Sequence, residues 1–315
     1  MPELVSVIVL SLILSSCSAV SRPDDSRRLR LAVGLIEEVK TFGKTLGIEP
    51  TEALRRTARQ GPTLSMLWLW MQREGTIAVS APVDIRLAIG LNVEKEAPQL
   101  EQVYRVDGYS VYHRQGTEFA DPRSVATVGF AEEPLVRRVK VILHEDLHGD
   151  VNFALPWEIE EAIVTPLGAL GAVEYFRHKQ DETNLASAMR SLNAERILSL
   201  ELKGVIAEAK RIFASEKTAD AKEKILAGLT RFPNYQRQFE RHTEGQHAAT
   251  ALEAKLSHDL AYYRYFDDVV GLAEAAPSLS ILIADLKQLR TDATVEATEI
   301  YLHSLHAKYS AAAVQ

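Results

Sequence analysis

The sequence predicts an α+β protein in which helix dominates, and three observations lead there. Residues 27–46 carry apolar side chains at a helical period. Residues 64–115 break into short runs of branched and aromatic residues parted by turns. From Glu132 onward the helical period persists almost to the end. Composition fits a folded body: of 315 residues, 46% are hydrophobic and 25% are charged. A formal charge of −7, with no clustering of Lys and Arg, leaves no footprint for a nucleic-acid partner.

In chain order, the first element is an apolar run over residues 4–14, too short to span a bilayer and of the length of a secretory signal core. It leads into Leu14-Ser15-Ser16-Cys17, which resembles a bacterial lipobox, although no Lys or Arg precedes the run. Cys17 is the only cysteine, and an exported chain without other thiols avoids stray disulfides. The expectation is a lipoprotein signal peptide over 1–16, a lipid on Cys17 and a polar tether over 17–25. Such a chain is anchored in the bacterial cell envelope. Ser18 after the cysteine, in place of Asp, implies the outer membrane, facing the periplasm, in a diderm cell.

A helix follows, with Leu29, Leu31, Ala32, Leu35, Ile36, Val39 and Phe42 in period and Gly47 as its stop. Pro50-Thr51-Glu52 reads as the opening of a further short helix. Four segments then read as strands: LSMLWLWM, TIAVSAP, VDIRLAIGL and YRVDGYSVYHR. Roughly six further helices are expected after Glu132, with breaks near Pro156, residues 179–182, Pro233 and Pro277.

The chemistry sits at VILHEDLHGD, residues 141–150. On a helix, His144 and His148 at i and i+4 share a face and can present two imidazole nitrogens to one metal ion. Glu145 is rotated by about 100° and reaches a water beside such an ion. With nine histidines in the chain, this pattern arises by chance in roughly one such sequence in fifty. A catalytic zinc site takes a third protein ligand and leaves one position open. Glu158, Glu160 and Glu161, at the start of the next helix, are all candidates, and their spacing does not choose among them. Acids are also common in a first helical turn without any metal.

Here a likeness enters. The stretch resembles a family of predicted bacterial zinc aminopeptidase lipoproteins, whose pattern is a HELAHQ-like helix followed by a FNESFAT-like helix. Laid on this chain without gaps, that pattern falls on His144, Glu145 and His148, and its second glutamate falls on Glu161. Ala162 and Thr165 take the matching small-residue slots. Upstream, GYSVYHRQGTEFADPRSVATVGF is similar to the family's GYDVYVGGVPAYSTLGWF, and VKTFGKTLGIEP looks like its R-FA-ELGLP stretch. The likeness runs from the signal to about residue 175 and continues weakly through LSHDLAYYRYF. The chain departs from the pattern at Glu160, where the family has Asn, and at Asp146, where it has a small residue. The family's tyrosine ahead of its small-Thr-x-Gly run has no clear counterpart near residues 124–129. Pro166 is expected to bend the second helix just past Glu161.

The resemblance implies a zincin-like metallopeptidase domain over 26–315, with an α/β part over 26–131 and a helical part over 132–315. It implies one Zn2+ per chain on His144, His148 and Glu161, Glu145 as the catalytic general base, and a peptide substrate. Thr165 is a candidate to support the ligands, though a helical Thr often bonds its own backbone. His258, Tyr262, Tyr263 and Tyr265 are candidates to stabilise an oxyanion, against the plainer reading of packing residues. The segment 124–129 reads either as an edge strand that pairs with substrate or as a covered sheet edge. The pairs His242/His247 and His303/His306 read as non-functional, and His113 and His178 as surface or interface residues. The rival reading is a non-catalytic envelope lipoprotein that keeps the fold as a binding or scaffold module. A third is a structural HExxH that binds no metal.

Overall fold

The computed structural model describes residues 23–58, 64–116, 118–150 and 153–312. The signal run and Cys17 lie outside them. Helix α1 (Pro23–Thr45) begins inside the stretch expected to be tether. It buries Leu29, Ala32, Ile36 and Val39, and Gly47 turns the chain out of it with φ +81°.

The short helix expected at Pro50 does not form. Thr51 instead gives both its backbone N–H and its hydroxyl to Asp146, at 3.0 and 2.8 Å, and the chain runs on into strand β1 (Leu54–Ala58). A tertiary anchor has overridden a local helix-start signal.

Strand β2 (Leu64–Arg73) lies between β3 (Asp84–Ile89) and β4 (Tyr109–Gly116) in an antiparallel sheet of order β3-β2-β4. Alternation along β2 explains its unbroken apolar run over residues 66–71. Leu67 and Leu69 face Ala97 and Leu100 of helix α2 (Val93–Tyr104), while Trp70 on the opposite face packs with Tyr112 against later helices. Both faces are covered over that run, so neither set of positions within it is polar. Helix α2 is absent from the sequence expectation. It is capped by the Asn92 side chain on Lys95 N–H and carries Pro98 inside it.

TIAVSAP is the second departure. It makes no ladder: Ala78 C=O accepts from the Ser257 hydroxyl at 2.6 Å, and Ser80 C=O accepts from the Trp70 indole at 3.2 Å. Side chains thus take two of its carbonyls in place of a strand partner.

Strand β5 (Val125–Thr127) pairs in parallel with β1, not with the three-stranded sheet, and leads into helix α3 (Val128–Glu132). Ala126 of this strand is buried in the main core, while β1 is its one strand neighbour among the described residues.

Nine helices follow among the described residues, more than the roughly six expected. They are α4 (Leu135–Gly149), α5 (Trp157–His178), α6 (Glu182–Ser215), α7 (Thr218–Gly228), α8 (Pro233–His242), α9 (Ala248–Tyr263), α10 (Phe266–Ala275), α11 (Leu279–Leu286) and α12 (Val295–Ala312). The expected breaks are present. The additional ones, at residues 216–217, 243–247, 264–265 and 287–294, fall where no Pro marks them. The described residues are α+β and mostly helical, 66% helix against 11% strand, which agrees with the coarse class read from the sequence.

α5 is the central helix, buried on nearly every side, and α4, α6, α9 and α10 all contact it. It continues as one helix through Pro166. Its Gly168 and Gly171 let α4 approach closely: a Cβ on Gly168 would stand 3.0 Å from His144 Cβ, and one on Gly171 would stand 2.8 Å from Leu143 Cδ1. The main core runs from Ile36 of α1 through Leu143 and Leu147 of α4 to Leu302 of α12. It therefore joins the α/β part to the helical part. No described helix is long and apolar enough to cross a membrane.

Candidate metal centre

α4 sorts its residues by face. Val139, Ile142, Leu143 and Leu147 enter the main core. Asp146 points away from the cleft and is buried, paired with Lys40 of α1 and bonded to Thr51. That pair clamps α4 to α1 and explains an acid where a small residue would otherwise suffice. The remaining face carries His144, Glu145 and His148 toward a cleft of about 760 Å³.

Across the cleft floor, α5 begins after Pro156 and brings its first two turns alongside. Of the three acids left open by spacing, Glu161 is the one that meets both histidines. His144 Nε2 and His148 Nε2 stand 3.0 Å apart, and Glu161 Oε2 lies 3.5 and 3.3 Å from them. These three are the one group of metal-capable side chains found among the described residues.

Zinc fits this set. A tetrahedral ion with bonds of roughly 2.0–2.1 Å has ligand–ligand edges of about 3.3–3.4 Å. The three separations straddle that value. Glu161 Oε2 is also buried and makes no hydrogen bond of normal geometry, which leaves a lone pair free for a cation.

Glu160 has a separate task. Its Oε1 lies 3.0 Å from His148 Nδ1, a contact that would leave the Nε2 lone pair for a metal ion once that nitrogen gives up its proton. Glu158 does not line the cleft. In sequence, Glu160 is a departure from a family pattern and one of three candidate ligands; in three dimensions it bonds a histidine.

The electrostatics of the four groups are tightly linked. Burial would lower His148, but the Glu161 and Glu160 carboxylates outweigh it and hold the imidazole well above its usual value. Burial, with the neighbouring His148 charge, drops His144 to about 3. Burial raises Glu161, yet His148, His144 and the approaching Tyr262 hydroxyl bring it down to about 2. Glu145 goes the other way: burial pushes its carboxyl up to about 8, against the pull of His148. Two carboxylates on adjacent helices are thus split into one firmly ionised and one that holds a proton near neutrality.

The remaining candidates divide. Tyr262, on α9, lines the cleft beside Glu161, and Tyr263 lines it too. Thr165 also reaches the cleft, with its hydroxyl buried and unbonded, so it neither supports a histidine nor bonds its own backbone. His258 is fully buried between Trp70, Tyr112 and Tyr262 and does not reach the cleft. Tyr265 is remote: its hydroxyl bonds Val295 C=O, and it packs in the main core. Neither reaches an oxyanion there: His258 is enclosed and its Nε2 faces Arg114, while Tyr265 lies past the end of α9, where the chain turns into α10. His113, read as a surface or interface residue, is only partly exposed; Gln246 bonds both its N–H and its C=O.

Comparison with protein-family models, curated proteins and solved structures finds no match. The functional reading therefore rests on this chain's own residues.

Sequence reading missed Arg114, which lines the cleft from β4. Period-two alternation places Tyr112 and Arg114 on one face of that strand, a signal present in YHR that was not used. It also missed the buried pair of Lys255 and Asp259, i and i+4 on α9, which supports the cleft from behind.

Proposed function

We propose that this protein is a zinc-dependent peptidase of the gluzincin kind, with one zinc ion on His144, His148 and Glu161 and with Glu145 as general base. The observation that carries the reading is the convergence of two Nε2 atoms and one carboxylate oxygen at 3.0, 3.3 and 3.5 Å. Zinc bound by such a set supplies the Lewis acidity for hydrolysis near neutral pH.

The protein's own groups account for the rest. Glu145 takes the proton released as water attacks the peptide carbonyl, and passes it to the amine nitrogen as the C–N bond breaks. The Tyr262 hydroxyl is the donor best disposed to the developing oxyanion. Glu160 keeps the His148 ring from rotating. The resemblance to aminopeptidase lipoproteins makes release of an N-terminal residue the narrower form of the proposal. A zincin-like fold and a lipid on Cys17 at the envelope complete it. With Glu160 engaged by His148 and Glu133 paired with Arg137, Glu118, 3.8 Å from the same guanidinium, is the cleft carboxylate proposed to receive a substrate amine.

Metal analysis of the purified chain tests this. About one zinc per chain, lost in Glu161→Ala and kept in Glu158→Ala, supports the site. Glu145→Gln should then bind zinc without cleaving peptides. A wild type that takes up no zinc when it is added back overturns the reading and leaves the non-catalytic lipoprotein.

A further inference from the structure

The cations lining the cleft are not equivalent. Lys140 pairs with Glu195, and Arg137 pairs with Glu133 and lies 3.8 Å from Glu118. Arg114 has no carboxylate partner among the described residues. Its Nη1 stands 3.2 Å from His258 Nε2, and its guanidinium lies over the Tyr262 ring, 5.5 Å from the centroid.

That contact with His258 is set from behind. Asp259 Oδ1 lies 2.8 Å from His258 Nδ1 and keeps the ring proton there, so Nε2 offers a lone pair to Arg114. The negative charge of Asp259 is itself matched by Lys255, and both side chains are fully buried. Asp259 therefore positions Arg114 without neutralising it. A guanidinium carries five N–H donors, and one is used on His258. None of the others is buried without a partner, and the residue lines the cleft, so donors remain open to it.

We propose that Arg114 is a specificity residue that binds a carboxylate of the peptide held in the cleft. The peptide rests on the peptidase reading above; the carboxylate preference does not require zinc. A planar guanidinium with open donors matches a carboxylate in two parallel hydrogen bonds, and its desolvation has already been met by the fold. The cleft volume of about 760 Å³ lies within the range that encloses small ligands, so short peptides are the fitting class. The carboxylate can be the chain terminus or an acidic side chain.

The test is calorimetric titration of the full chain carrying Glu145→Gln, with and without chelator. Three probes are compared: trialanine as the free acid, trialanine amide, and Ala-Asp-Ala amide. The expected result is at least about tenfold tighter binding of one carboxylate-bearing peptide than of trialanine amide. That preference should disappear in Arg114→Met and survive in part in Arg114→Lys. Preference for the free acid assigns the chain terminus; preference for Ala-Asp-Ala amide assigns the side chain. Equal affinity for all three probes, or a preference that persists in Arg114→Met, overturns the proposal. If Arg114→Met does not fold, the acid-to-amide comparison in the parent still decides. A protein without zinc or turnover would lose the peptidase reading and keep this contrast; an active peptidase without the contrast would do the reverse.

Discussion

Glu160 Oε1 meets His148 Nδ1 at 3.0 Å, on the far side of the ring from the nitrogen that faces His144 and Glu161. Adjacent acids on one helix turn therefore have different jobs: one approaches the centre, and the other orients a ligand. Glu160→Ala should weaken zinc binding by about 10–100-fold without abolishing it, whereas Glu161→Ala should abolish it. Competition with a chromogenic zinc chelator separates the two. Equal affinity of Glu160→Ala and wild type would remove Glu160 from the site.

Glu145→Gln should lower kcat by about 10²–10⁴-fold, the usual worth of a general base, while leaving zinc content unchanged. The side chain keeps its shape and loses only its proton affinity. Zinc content and peptide turnover on the same preparation check it.

Gly168→Ala should harm the centre more than Gly171→Ala. The new methyl at 168 stands 3.0 Å from His144 Cβ and 3.2 Å from Lys140 C=O, which are parts of α4 that cannot rotate aside. At 171 it meets the end of the Leu143 side chain, which can. Overpacking costs about 1–3 kcal/mol, against a helix-propensity gain of about 1 kcal/mol for Gly to Ala. The expectation is net destabilisation and weaker zinc binding at 168, and near-neutrality at 171. Urea midpoints and chelator competition measure both.

Breaking the buried Lys255–Asp259 pair should be severe. Lys255→Met leaves Asp259 ionised at a fully buried site with only Tyr235 and His258 to bond it. A loss of about 3–5 kcal/mol is expected, read from denaturant midpoints.

Stability should fall on acidification through the same cluster. Burial holds His258 at about 4, with Arg114 and Lys255 opposing its protonation and Asp259 favouring it. The unfolded chain takes up this proton near the ordinary value of about 6.5, so the unfolded state binds more protons between those limits. The contribution of His258 is therefore complete above about pH 6.5 and declines as pH falls toward 4. His258→Gln should flatten the drop between pH 7.5 and 5 relative to wild type. An unchanged drop in the variant would show that other groups carry it.

Local patterns in the sequence reached far into this protein. The placement of His144 and His148 on one face, with Glu145 about 100° around from them, follows from the 3.6-residue turn of α4 alone, and the coarse α+β class follows from the change of hydrophobic period near Glu132. The third group of the centre could not be read that way. Glu158, Glu160 and Glu161 have near-equal local claims; the rotation of α5 against α4, set by contacts at Gly168 and Gly171, decides which carboxylate meets the histidines. The same holds for the strand that TIAVSAP did not form and the helix that Pro50-Thr51-Glu52 did not start, where Ser257 and Asp146, both distant in sequence, supplied the competing hydrogen bonds. Arg114 gained its place only when β4 came against α9. Periodicity along one element is a short-range property and can be read from the chain. Which faces meet depends on packing between elements far apart in sequence, and only the tertiary structure decides that.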